Sequence, residues 1–136
     1  MISRWNPAGV APPVGQYSHL AAVPPDHEVV FISGQLGLLE DGTLAGPDAE
    51  SQTRQAFANI GRLLDALEVG PANLVKLLTF VSGTEHLPGS RVAREEVFAD
   101  WYPDGDWPAH SLMVVAALAR PDLTVEVEAV AAVPRR

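Results

Sequence analysis

The chain has 136 residues, 47% hydrophobic and 19% charged, which fits one compact domain spanning residues 1–136 and excludes both intrinsic disorder and a mini-protein scaffold. Nine basic against seventeen acidic residues give a net charge of -8, which repels polyphosphate and leaves no basic stripe, arguing against nucleic acid as a partner. Cysteine is absent, so disulfides, thiolate metal sites and cysteine nucleophiles are excluded.

The longest stretch without formal charge, Trp5 to Pro25, holds five prolines together with Gln16, Tyr17, Ser18 and His19, and so cannot be a membrane helix. Met1 to Pro7 shows neither a basic segment before an apolar run nor a small-residue cleavage site. A cytoplasmic protein with no membrane partner is the expectation.

The first strand signal is Val29-Val30-Phe31-Ile32-Ser33, bounded by the turn-like Pro24 to Glu28 and by Gly34, with Tyr17 to Val23 as its expected hairpin partner. The Asp41-Gly42 pair marks Gln35 to Leu44 as an irregular hairpin or loop. Phe57, Ile60, Leu64 and Leu67 then form one helical stripe between Asp48, a candidate cap, and the Gly70-Pro71 stop. Leu74 to Val81, apolar on both faces except for Lys76, reads as a central strand. A second helix is expected between Pro88 and Tyr102, with Ala93, Val97 and Trp101 spaced by four and polar residues on its other face. Two strands follow, His110 to Ala116 and Thr124 to Val133.

The order β-β-α-β-α-β-β predicts an α+β layer with both helices on one sheet face. Strands apolar on both sides then leave the second face to meet another subunit, so an oligomer is expected.

In Val125-Glu126-Val127-Glu128-Ala129 the period of two places Glu126 and Glu128 on one face and the valines on the other. Such a pair is either an exposed strand face or includes a general base, with raised pKa, at a subunit junction. No two of the four histidines have metal-ligand spacing, so no metal is expected. His27 and His86 read as solvated surface. His110, at a strand start after the rigid Trp107-Pro108-Ala109, is either aimed into a cleft or a structural histidine. Ser33-Gly34-Gln35 ends a strand with a glycine that permits a sharp turn with exposed amides. A serine-hydrolase elbow and a glycine-rich phosphate loop are both missing.

Taken in order, these segments resemble the RidA/YjgF family of reactive intermediate deaminases, whose members also carry the label L-PSP endoribonuclease. Val14 to His19 is similar to the family's Gly-Pro-Tyr-Ser-Gln segment and Phe31 to Gly37 to its Ser-Gly-Gln strand end. Gln52 to Ile60, Val75 to Val81, Pro108-Ala109-His110-Ser111 and Val125 to Val130 complete the series. The resemblance implies a chorismate-mutase-like fold, a homotrimer with ligand clefts at its subunit interfaces, and a small-molecule substrate with no cofactor. It further implies hydrolysis of enamines or imines to a 2-oxo acid and ammonia. Within it Glu128 matches the water-positioning glutamate, Tyr17 and Ser33 line the cleft, and Gly34 and Leu112 offer backbone contacts.

His110 stands where the family places a carboxylate-clamping arginine. Guanidinium binds a carboxylate through a fixed charged fork, whereas imidazole offers one short contact and is partly protonated near neutrality. Loss of such a contact costs about 2–5 kcal/mol, so turnover of ordinary 2-imino acids is expected to be poor. Glu95, where the family usually has asparagine, adds negative charge to the expected cleft, and Gln16 replaces a common proline. Two functional classes follow from the resemblance. One is a divergent hydrolase in which Glu128 activates water and His110 donates a proton or a hydrogen bond. The other is a non-catalytic small-molecule-binding or regulatory trimer. Endoribonuclease activity ranks below both on charge.

Overall fold

The computed structural model describes residues 1–136. Two short strands, β1 (Ser3–Trp5) and β2 (Leu20–Ala22), pair antiparallel in a ribbon of their own. The main sheet comprises β3 (His27–Leu36), β4 (Leu74–Ser82), β5 (Ala109–Val115) and β6 (Val125–Pro134), in the order β3-β6-β4-β5. The β4-β5 pair is parallel and the other two pairs are antiparallel. Parallel neighbours need a long crossover, which α2 (Leu87–Trp101) supplies, while α1 (Ala49–Ala66) joins β3 to β4. Both helices pack on one face of this mixed sheet, the α+β arrangement the residue patterns predict.

Alternation along β6 decides the layering. Val125, Val127, Ala129 and Ala131 are buried against the α1 stripe of Phe57, Ile60 and Leu64 and against Phe98 and Tyr102 of α2. Phe98 is the hub of an edge-to-face aromatic set, 5.7 Å from Phe57 and 5.4 Å from Tyr102 between ring centres. A fully buried side chain of this kind stabilises the fold by about 1.5–3 kcal/mol. The opposite face carries Glu126 and Glu128 with Leu78 and Phe80 of β4, and no helix covers it. Phe31 stands 80% exposed there.

Local signals hold these elements in place. Asp48 caps α1 by accepting hydrogen bonds from the Ser51 amide and hydroxyl at 2.9 and 3.0 Å, which hold its carboxyl below the usual range. Gly42, at φ +87°, closes the expected Asp-Gly turn, and Leu38 bridges Leu44 across it. Gln52, fully buried in α1, donates to the carbonyls of Gly46 and Asp122 and accepts from the amide and hydroxyl of Thr124. All four of its hydrogen-bonding positions are filled, so the helix start is tied to the loop before β6 without an unsatisfied group. Arg4 ties β1 to the sheet by donating to the Ala72 and Leu74 carbonyls at 3.0 and 2.7 Å.

Three expectations are corrected. The residues read as a hairpin partner of β3 instead pair with β1, a strand with no sequence signal. The cause is upstream: Ser18 bridges Ala109 at the β5 edge, opposite the edge formed by β3, so the chain leaving it cannot run beside β3. His27 is not solvated, because its ring is covered to 10% exposure and lies 2.7 Å from Asp26. Gly34 adopts no left-handed turn; it sits at the irregularity of β3 between Ile32 and Gln35, where an added Cβ would strike the Glu126 carboxylate.

Gly37 generates the first prediction. A Cβ there would lie 2.5 Å from the Gln52 Cα, a backbone atom that cannot swing aside. Gly37→Ala is expected to lower unfolding free energy in urea by about 1–3 kcal/mol, whereas Gly70→Ala, which meets nothing within 4 Å, stays within about 0.5 kcal/mol of wild type.

Candidate active site

A cleft of about 490 Å³ opens where the N-terminal loop, α2 and the edge strand β5 meet. Its walls are Val14 to Tyr17 from the loop, Arg91, Arg94 and Glu95 from α2, and His110 and Leu112 from β5. The loop is strapped to the start of β5: the Ser18 hydroxyl donates to the Trp107 carbonyl at 2.7 Å and its amide to the Pro108 carbonyl at 3.2 Å. That strap sets Tyr17 beside His110, and the Tyr17 hydroxyl accepts from the Val14 amide at 3.3 Å. Two polar atoms of the lining, Arg94 Nε and Gln16 Oε1, are buried without a hydrogen-bond partner.

His110 is partly buried, its Nε2 2.8 Å from the hydroxyl of Thr79 and its ring 6.0 Å from that of Phe98. Burial, with the nearby charges of Arg94 and Lys76 adding to it, depresses its pKa to about 4. The ring is therefore neutral at pH 7 and brings no cation to the cleft. Arg91 and Arg94 do. Glu95 lines the cleft and brings the negative charge expected of it there, but against the two arginines the formal charge of the lining is positive by one.

A second cleft, of about 340 Å³, lies on the uncovered face between β3, β6 and β4. Ser33 and Glu128 line it together with Phe31, Lys76, Leu78 and Val130. Lys76 donates to the Ser111 hydroxyl at 2.9 Å and so crosses this face to β5.

Register separates the two clefts. His110 lies opposite Leu77 and Glu128 opposite Leu78, and Leu77 and Leu78 are successive residues of β4. Successive residues point to opposite faces of a strand, so His110 is on the helix side and Glu128 on the bare side. One protomer thus groups Tyr17, Glu95, His110 and Leu112 in the first cleft, and Ser33 and Glu128 in the second. Gly34 adjoins Ser33 but lines neither. Sequence reading missed Arg91, Arg94 and Thr79. The arginines were detectable as a one-turn pair on the polar face of α2; the Thr79 contact needed the β4-β5 register.

The Endoribonuclease L-PSP family model matches residues 8–133. The chain is 30% identical over 106 residues to Reactive Intermediate Deaminase A, chloroplastic, of Arabidopsis thaliana; the match covers 77% of this chain and 54% of that protein. Against the relative's full length, then, the alignment spans about half. Among solved structures, YyfB of Yersinia pestis, from the conserved Rid protein family, superposes with TM-score 0.83 at 30% identity, covering 96% of this chain and 97% of that one. The YjgF gene product of E. coli superposes with TM-score 0.69 at 26% identity, covering 91% of each chain. With the family model matching nearly the whole length and the fold agreeing, the chain belongs to the RidA/YjgF family.

Proposed function

We propose that the protein hydrolyses an imine, an enamine or a related reactive intermediate in a cleft completed by a second copy of the chain. The observation that carries this reading is the division of the family-matched residues between two open half-sites on opposite sheet faces. Tyr17 and His110 share the first cleft with Glu95 but not with Glu128, and Glu128 and Ser33 line the second cleft without Tyr17 or His110. Apolar exposure supports assembly through the bare face: Phe31, Val29 and Met113 are 80%, 44% and 42% exposed. A closed ring of three copies would bury these residues and set the Glu128 half of one copy against the His110 half of the next.

In such a cleft Glu128 takes a proton from water as the oxygen attacks the C=N carbon and the π pair moves to nitrogen. Glu128 returns that proton to the nitrogen, and collapse of the resulting carbinolamine, its hydroxyl proton passing to the departing nitrogen, expels ammonia and leaves a carbonyl compound, so one water is consumed per ammonia released. His110 is uncharged near neutrality and serves by hydrogen bonding, held by Thr79, rather than as an imidazolium acid. The net charge of -8 continues to weigh against RNA as substrate.

The assay is ammonia release from imines generated in situ by an amino-acid oxidase. Wild type is expected to accelerate it and Glu128→Ala to lose about 100-fold or more, the usual contribution of a positioned base. Equal rates with wild type, with Glu128→Ala and with no protein would overturn the hydrolase and leave a binding trimer.

NMR titration of His110 is expected to give a pKa near 4, rising in Arg94→Gln as a repelling charge is removed. Because the folded pKa lies below the ordinary 6.5, the unfolded chain binds the extra proton first. Stability is therefore full above about pH 6.5 and falls as pH drops toward 4, by on the order of 3 kcal/mol in total. His110→Gln is expected to remove that part of the pH dependence in urea unfolding.

A further inference from the structure

We propose that Arg94, flanked by Arg91, is the anion anchor of the first cleft and holds the substrate's carboxylate from α2, where His110 on β5 offers no charge. The inference rests on reading this cleft as the substrate site and deepens it by naming the side chain that selects substrate charge.

Ion pairing and position together single these two residues out. Arg4, Arg54, Arg62, Arg120 and Arg136 each have a carboxylate oxygen within 4.0 Å, whereas Arg91, Arg94 and Arg135 have none, and Arg135, next to the C-terminal residue, does not line the first cleft. Both line the cleft, one helical turn apart and so on the same side of α2. In a chain with eight more acids than bases, two guanidiniums without a carboxylate at one cavity are an arrangement that an external anion would complete. Arg94 Nε is, in addition, buried without any hydrogen-bond partner. A buried charged donor left unsatisfied is destabilising, and a planar carboxylate meets the guanidinium fork with two parallel hydrogen bonds.

The same wall limits the ligand's charge. Glu95 adjoins Arg94 and reduces the lining to a single net positive charge, which suits a monocarboxylate better than a dianion such as phosphate. Arg91 is the more exposed of the pair, so solvent screens it and its share is smaller. The family's arginine on the edge strand is thus replaced in function from the neighbouring helix, and the expected loss of carboxylate binding does not follow from His110.

Calorimetric titration of the full chain with 2-oxobutanoate, with its uncharged amide and with inorganic phosphate tests this. Wild type is expected to bind the oxo acid at least tenfold more tightly than the other two. Arg94→Gln is expected to weaken oxo-acid binding by about thirtyfold or more, Arg91→Gln by less, and Arg94→Lys to retain part of the affinity. Arg94→Lys also serves as the test variant should Arg94→Gln fail to fold. Equal binding of acid and amide, tighter binding of phosphate, no oxo-acid binding, or wild-type affinity in Arg94→Gln would each overturn the anchor. Oxo-acid binding that depends on Arg94, without ammonia release from imines, would overturn the hydrolase and leave the anchor standing. Ammonia release unchanged by Arg94→Gln would do the reverse.

Discussion

Side chains on a strand alternate between its two faces, and this constraint governs the molecule. On β6 the rule sends Val125, Val127 and Ala129 into the core and Glu126 and Glu128 to the bare face. On β5 it sends His110 to the helix side beside Phe98 and Ser111 to the bare side against Lys76. Shifting β5 by one residue would move His110 to the face that carries the acids, with β4 still between them, and take its ring out of the first cleft. The parallel β4-β5 pairing, set by the α2 crossover, prevents that shift. A site that uses both His110 and Glu128 must then draw them from two copies, and the exposed Phe31 side of the sheet is the surface available for the contact.

Electrostatics give the first cleft its character. Burial and the nearby charge of Arg94 keep His110 neutral, so the cations lining this cleft are Arg91 and Arg94. Thr79, buried beneath the ring, supplies the hydrogen bond that makes a neutral buried histidine tolerable. With His110 neutral and Glu95 in the lining, the cleft is still not acidic, because α2 presents two arginines toward it.

Much of this was legible in the sequence. The α1 stripe of Phe57, Ile60 and Leu64, the Asp48 cap, the central position of β4 and the two-faced β6 all follow from periodicities that packing then respects. Pairing of β1 with β2 was not legible, because three-residue strands carry no period and their partnership is fixed by the distant tie of Ser18 to Ala109. The site was legible as a set of residue types and not as a geometry. Position in the chain singled out Tyr17, Ser33, His110 and Glu128, but which face each occupies depends on strand register. Arg91 and Arg94 were passed over because charged residues on an amphipathic helix ordinarily face solvent; their place at a cavity wall depends on how α2 lies across β5.

Subunit complementation tests the composite site most directly. Glu128→Gln disables one half, and Leu112→Trp fills the other. Each variant alone should be inactive in ammonia release. If clefts form between copies, unfolding an equal mixture and refolding it should restore about one quarter of the wild-type rate, since one in four junctions then joins two intact halves. A refolded mixture no more active than its parents, with wild type recovering fully under the same treatment, would place the whole site within one protomer and contradict the account.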